Sequence, residues 1–387
     1  MIHWPDGLDS TGFLDSYWQK RPLLVRGAIR GLDNPVSPDD LAGLACEADV
    51  ESRIVSGGEA SGWTVRHGPF AEDEFSTLPD SDWILLVQDV DKIVPDLAPA
   101  LGLFSFLPSW RLEDLMVSYS SPGGSVGPHV DNYDVFLIQM EGRRRWQLAS
   151  ETDETAWRDD CEIRVLKSFE PSSSLWLDPG DMLYIPPGTP HYGRGEVPCL
   201  SFSVGFRAPS DGDLLSQAAR LLTESGDETF YSDAGLADAE IDDSRISAAA
   251  VERARRLLTD AAEKSDARVT QLLGRAVTGN KPWLLPEQPE FPTSRAGLEE
   301  RLSAAERLRL HEGSRLAWHA SETGTLIFVD GESWSLPAGE QHFCRSIEGL
   351  RTAGPLRISP LESHHLDILC DLLARGALTW ADDETTS

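Results

Sequence analysis

Through the first half of the chain, apolar positions come in short runs that alternate with polar or small ones and are broken by Pro and Gly. The stretches WILLVQDV (83 to 90), DVFLIQM (134 to 140), RRWQL (144 to 148) and LSFSVGF (200 to 206) carry this pattern. Such runs between turn residues are strands, so residues 1 to 208 are expected to form a strand-rich sandwich or barrel. From 209 to 278 the texture changes to Ala, Leu, Arg and Glu, and Ile246, Val251, Ala254, Leu258 and Ala261 recur at helical spacing. An apolar stripe on so small a helical segment needs a second surface to cover it, and the expected cover is a second copy of the chain, a homodimer. A Pro-rich connector, KPWLLPEQPEF, follows, and residues 279 to 387 read as a separate module. That module opens on a helix pattern in LEERLSAAERLRL. It continues with a hairpin turning at Asp330-Gly331 and closes on a helix in ESHHLDILCDLLARG. Helices around one hairpin suggest a winged-helix-like architecture, which by itself says nothing about DNA binding.

Composition narrows the class without naming it. At 387 residues the chain has length for two or three domains, and no apolar run approaches the roughly 20 residues that cross a bilayer. The first residues, MIHWPDGLDS, lack a basic stretch and an apolar core, so a cytoplasmic location is expected. Five cysteines, widely spaced and without a C-x-x-C pair, argue against a disulfide scaffold or a thiolate zinc site. A formal charge of -30 would repel phosphate backbones and attract basic partners, so nucleic-acid binding is not expected. Solubility in a salty cytoplasm accounts for the charge equally well, since only 5 of the 34 basic residues are lysines.

Chemistry enters at GPHVDNYDVFLIQMEGRRRWQL, residues 127 to 148. On a strand, His129 and Asp131 would share one face. An H-x-D arises by chance about once in a chain of this length, and His365-Leu366-Asp367 is such a decoy. It falls in a predicted helix, where i and i+2 diverge, and reads as surface or helix-end decoration. The first pair is raised above chance by LDPGDMLYIPPGTPH (177 to 191), a turn, a short strand and a tight loop that deliver His191. Two histidines and one aspartate on one face of an ion leave three positions open, the arrangement suited to non-haem Fe(II) and dioxygen. In RRRWQL, Trp146 and Leu148 mark the inward face, which places Arg144 inward and Arg143 and Arg145 outward. A buried guanidinium demands a carboxylate, either from the protein as an internal ion pair or from a ligand. The 2-oxoglutarate dianion meets both demands, its keto-acid end on the metal and its distal carboxylate on Arg144.

With these residues in view, FLDSYWQKRPLLVRGAI, MVSYSSPGGSVGPHVDNYDVFLIQMEGRRRWQL and PGDMLYIPPGTPHYGRG together resemble the JmjC-type ribosomal oxygenases. The resemblance covers nearly the whole chain. It implies a double-stranded β-helix (cupin, JmjC) domain, a helical dimerisation segment and a C-terminal winged-helix domain, in a mixed α and β chain. It further implies iron held by His129, Asp131 and His191, and 2-oxoglutarate held by Arg144 and Ser118. The implied substrate is basic, an arginine side chain of the large-subunit ribosomal protein L-sixteen. A histidine of another ribosomal protein is the nearest rival, because the same iron chemistry serves both. A lysine demethylase would also use that iron, although no chromatin-reading motif accompanies it. From another class, a carboxylate-sensing cupin joined to a DNA-binding winged helix would need a basic stripe. Arg301, Arg307, Arg309 and Arg315 stand among glutamates instead.

Overall fold

The computed structural model describes residues 1–150, 157–226, 229–232, 234, 246–262, 266–284, 286, 288–289, 293–352 and 361–381. The chain divides into two compact units, Met1–Ala208 and Pro209–Ser387.

The first unit is built from eleven strands: β1 (Leu23–Val25), β2 (Ser52–Gly58), β3 (Gly62–His67), β4 (Trp83–Val87), β5 (Leu112–Ser120), β6 (Asp134–Glu141), β7 (Arg144–Leu148), β8 (Ser173–Leu177), β9 (Met182–Ile185), β10 (His191–Gly195) and β11 (Cys199–Phe206). Eight of them form one antiparallel sheet in the order β1-β9-β6-β11-β5-β4-β2-β3, and three form a second in the order β10-β7-β8. Strand alternation decides what each face packs against. On β11, Leu200, Phe202, Val204 and Phe206 point outward into a core shared with Phe13, Phe136 and Tyr184. That core carries the N-terminal arm, whose helix Ser10–Ser16 is capped by the Asp9 carboxylate. The alternate residues, Cys199, Ser201, Ser203 and Gly205, are small and face the second sheet, paired with Ser120, Ser118, Met116 and Asp114 of β5. Between the sheets, Val135, Leu137, Trp146, Leu148, Leu177, Leu183 and Ile185 form a separate apolar cluster. The interior thus has an apolar floor and a polar wall.

Gly142 lies between β6 and β7, two consecutive strands that belong to different sheets. Its backbone is left-handed (φ 66°), and a Cβ there would stand 2.1 Å from the Pro198 carbonyl, so only glycine carries the chain across.

The second unit begins with the helices Asp211–Ser225, Ala248–Ala262 and Asp266–Thr278. A meander of β13 (Leu316–Ala320), β14 (Thr325–Val329) and β15 (Glu332–Leu336) and a two-strand ladder of β12 (Leu308–Leu310) with β16 (Leu378–Trp380) follow, together with the helices Arg295–Ser303, Gln341–Gly349 and Ser363–Ala374. No division between compact units falls at residue 278. Arg275 pairs with Glu224 at 2.7 Å and with Glu332 at 3.8 Å, and the Gly331 N–H donates to Thr278 Oγ1, which ties the last helix of the first group to the meander. The helix expected through LEERLSAAERLRL ends at Ser303, because Ala305 takes a left-handed turn and LRL becomes β12. The hairpin at Asp330-Gly331 forms as expected, with both residues at positive φ. His365 does lie in a helix, but it is no surface decoration: only 3% of it is exposed.

Candidate metal and co-substrate site

His129, Asp131 and His191 converge, but not by the route strand alternation suggested. Residue 129 sits in an isolated bridge to His191, with reciprocal backbone hydrogen bonds of 3.0 and 2.9 Å. Beyond it the chain turns, and the Gly188 N–H donates to the Asp131 carbonyl. The loop PPGTP is thereby stapled to the H-x-D segment, which is why the two stretches arrive together. Asp131 Oδ2 lies 3.9 Å from His129 Nε2 and 3.5 Å from His191 Nε2. One atom from each of the three side chains falls within 4.8 Å of the others. Neighbouring ligand atoms on one ion with bonds of about 2.1 Å stand roughly 3–3.5 Å apart, so a small contraction closes the set.

The tautomers are also set. His129 Nδ1 is 2.9 Å from the Gly127 carbonyl and His191 Nδ1 is 2.9 Å from the Thr189 carbonyl, so each Nδ1–H donates and each Nε2 keeps its lone pair toward Asp131. The donor set therefore fits a metal.

Burial, reinforced by the neighbouring His129, brings the His191 pKa down to about 4 from an ordinary 6.5. In the metal-free protein the unfolded chain then binds more protons than the folded one between those pH values. Stability is present above about 6.5 and lost as pH falls toward 4, by about 3 kcal/mol for this group. Urea midpoints of the metal-free protein at pH 7 and pH 4.5 should diverge accordingly, and less so for His191→Gln.

Arg144 opens β7 and is buried, as its alternation with Trp146 and Leu148 required. Its Nη1 donates to Ser118 Oγ at 3.3 Å, while its Nε is buried with no partner. Among the described residues no carboxylate lies within salt-bridge distance of it, and burial pulls its pKa below the ordinary value. Arg143 and Arg145 point outward, flanking Trp176 and bonded to Asp178 and Ser174. Ser118 is buried on the polar wall, beside Ser201.

Between metal ligands and guanidinium lies Trp146, its ring 5.9 Å from the His191 ring and 4.9 Å from the Arg144 carbon. The indole can lie there because Gly193 faces it across the ladder: a Cβ at 193 would stand 2.6 Å from the six-membered ring. Gly193→Ala is expected to push Trp146 off its seat. The overpacking should cost about 1–3 kcal/mol in chemical denaturation and weaken co-substrate binding in a calorimetric titration.

Sequence reasoning did not single out Trp146 or Gly193, although R-x-W facing H-x-G-x-G across a ladder was there to be read. It also missed Tyr133 and Asp114. Although 44% of Tyr133 is exposed, desolvation about its phenol drives the pKa up, with the carboxylates of Asp131 and Asp114 adding to the effect. Asp114, buried on the inward face of β5, accepts from the Gln88 amide at 3.1 Å.

Known proteins share this architecture. A family model described as "JmjC domain" matches residues 101–214. The Escherichia coli ribosomal protein uL16 3-hydroxylase is 42% identical over 60% of this chain and 60% of its own length, and rat ribosomal oxygenase 2 is 43% identical over 21% and 17%. These alignments span less than two thirds of the curated relatives' length. Over whole structures the likeness extends further: E. coli YcfD, a ribosomal oxygenase solved with cobalt and 2-oxoglutarate, superposes with a TM-score of 0.78 and 30% identity. That match covers 97% of this chain and 99% of YcfD. The chain belongs to the JmjC ribosomal oxygenase family. In this JmjC ribosomal oxygenase the matched interval contains His129, Asp131, His191 and Arg144, singled out from their sequence pattern, and Ser118, implied by the resemblance.

Proposed function

We propose that this chain is an Fe(II)- and 2-oxoglutarate-dependent hydroxylase acting on an arginine side chain of ribosomal protein L-sixteen. One observation carries the reading. Beside a two-histidine, one-aspartate set, a buried guanidinium has hydrogen-bonding capacity left over and no carboxylate partner among the described residues. An unpaired charge so placed is costly unless a ligand completes it.

Bound iron would supply dioxygen activation coupled to oxidative decarboxylation of 2-oxoglutarate. His129, Asp131 and His191 would hold it with their two Nε2 atoms and one carboxylate oxygen. Arg144 and Ser118 would fix the distal carboxylate, and Trp146 would wall the co-substrate against water and lock its direction. The small residues of β11 leave the room this needs. An arginine substrate is supported by Asp114, a buried carboxylate on the same inward face, and by Tyr133, which could cover the aliphatic stem of a long side chain. The formal charge of -30 favours the approach of a basic ribosomal protein.

The same reading takes the helices of residues 209 to 278 as a dimerisation segment, residues 279 to 387 as a winged-helix-like module, and the cytoplasm as the location. No described helix is long and apolar enough to cross a membrane. Ile246, Val251 and Leu258 of the expected stripe are exposed, Leu258 at 70%. A Leu258→Glu substitution should shift sedimentation equilibrium from dimer toward monomer, since a charge in an apolar interface is left unpaired.

The deciding experiment is fragment-ion mass spectrometry of ribosomal proteins incubated with enzyme, Fe(II), ascorbate and 2-oxoglutarate. A single added oxygen on an L-sixteen arginine is expected. Oxygen on a histidine of another protein would replace the substrate and keep the chemistry, and none on any protein would overturn the hydroxylase reading.

A further inference from the structure

The second unit holds a group of side chains that the hydroxylase chemistry does not use. Glu340 precedes the helix Gln341–Gly349, and His364 and His365 stand in the first turn of the helix Ser363–Ala374. Their donor atoms converge. Glu340 Oε2 is 2.9 Å from His365 Nε2, Glu340 Oε1 is 3.4 Å from His364 Nε2, and the three groups present one ligand atom each within 4.8 Å of one another. The two imidazoles are 4.2 Å apart, centre to centre.

Adjacent histidines in a helix interior diverge by about 100° and rarely meet. These two meet because they sit at the helix start, where His365 turns inward and stacks on Phe343, ring centroids 4.3 Å apart. His365 is buried on this ring while His364 covers it. His364 Nε2 is shut off from solvent, and its contact with Glu340 Oε1 at 3.4 Å lacks hydrogen-bond geometry. A buried ring nitrogen held only by a long, poorly aligned carboxylate contact is incompletely satisfied, and an ion between the two groups would complete it.

We propose that Glu340, His364 and His365 form a second metal site, for a four-coordinate divalent transition ion of the zinc type, with water as the fourth ligand. Two imidazoles and one carboxylate with an open position are a known donor set for such an ion. The two carboxylate oxygens stand 2.9 and 3.4 Å from the ring nitrogens, at or a little inside the spacing of about 3.4 Å between ligand atoms on a tetrahedral ion with bonds of about 2.1 Å, so a small expansion admits the ion.

Metal binding requires one rearrangement. His365 Nδ1 accepts the Glu362 backbone N–H at 3.0 Å, so the metal-free ring carries its proton on Nε2 and donates it to Glu340. On coordination that proton moves to Nδ1, Nε2 gives its lone pair to the ion, and the Glu362 N–H, on an exposed residue, turns to water. No net proton is released by His365, so metal and helix cap compete for one ring. Occupancy would clamp the start of one helix to the start of the other.

The test is a titration of the full chain, stripped of metal, with Zn(II) and with Co(II). The wild type should bind two equivalents and Asp131→Ala one. In Asp131→Ala the remaining Co(II) should give the intense visible bands of a four-coordinate ion. His364→Ala in that background should abolish binding. Glu340→Gln, which keeps an acceptor for His365, should weaken it at least tenfold while circular dichroism stays unchanged. Failure of the first centre alone would leave one equivalent in both wild type and Asp131→Ala. Absence of metal from Asp131→Ala, or binding there that survives both His364→Ala and Glu340→Gln, would overturn the second site.

Discussion

Asp131→Ala is expected to end turnover and to remove the metal from the first unit. Its carboxylate is the only anionic group of the three-residue set, standing 3.5 and 3.9 Å from the two imidazole nitrogens. Loss of an outer group that merely orients a ligand commonly costs 10- to 100-fold in metal affinity or activity, so loss of a ligand itself should exceed about 100-fold. Three measurements check it together: iron content after reconstitution, 2-oxoglutarate decarboxylation, and oxygen incorporation into the ribosomal substrate. All three should fall to background. Retained decarboxylation with lost hydroxylation would mean that Asp131 serves the substrate and not the ion. Folding should survive, since Asp131 is part-exposed on a turn and the bridge between residues 129 and 191 runs through backbone atoms.

Arg144→Met should separate binding from stability in opposite directions. The guanidinium is buried, holds one long hydrogen bond to Ser118 and faces no carboxylate among the described residues. Replacing a desolvated charge by an apolar side chain of similar volume is often stabilising, by about 1–4 kcal/mol. The co-substrate-free variant should therefore unfold at higher urea than the wild type. Truncating one side of a buried charge pair costs about 2–5 kcal/mol, so 2-oxoglutarate affinity should drop by roughly 30-fold or more. Arg144→Lys should fall between, because an ammonium keeps the charge but loses the planar fork. If Met lowers both stability and affinity, Arg144 is a structural residue with an internal partner, and the co-substrate assignment to it fails.

Much of this site could be read before any coordinates, and the reasons are local. Arg144 was placed by period-two alternation, which a strand obeys wherever one face is buried, and β7 runs over the expected residues. The histidines and the aspartate were legible through their spacing and the turn chemistry around them. What strand rules could not supply was the isolated bridge at His129, because pairing between 129 and 191 is a contact across 62 positions. Trp146 read as plain core for the same reason: its role depends on Gly193, its register partner on the neighbouring strand and distant in sequence. The end of the helix at Ser303 was hidden because Ala305 adopts a left-handed turn that alanine seldom takes. His365 misled through its periodicity, which gave the element correctly and the burial wrongly.

The N-terminal arm has a consequence for how such a protein can be divided. The interval that matches the JmjC family, 101–214, holds every residue proposed for the first metal and its co-substrate, yet it leaves out Phe13, Trp18 and four of the eight strands of the large sheet. Cut to that interval, the chain would bare Phe136, Phe202 and Phe206 and leave β5 as an unprotected sheet edge, a template for aggregation. What evolution copies as a recognisable catalytic block is thus smaller than what can fold. Gene fusions or library designs that transplant the chemistry would need to carry residues 1 to 208 as one indivisible cassette.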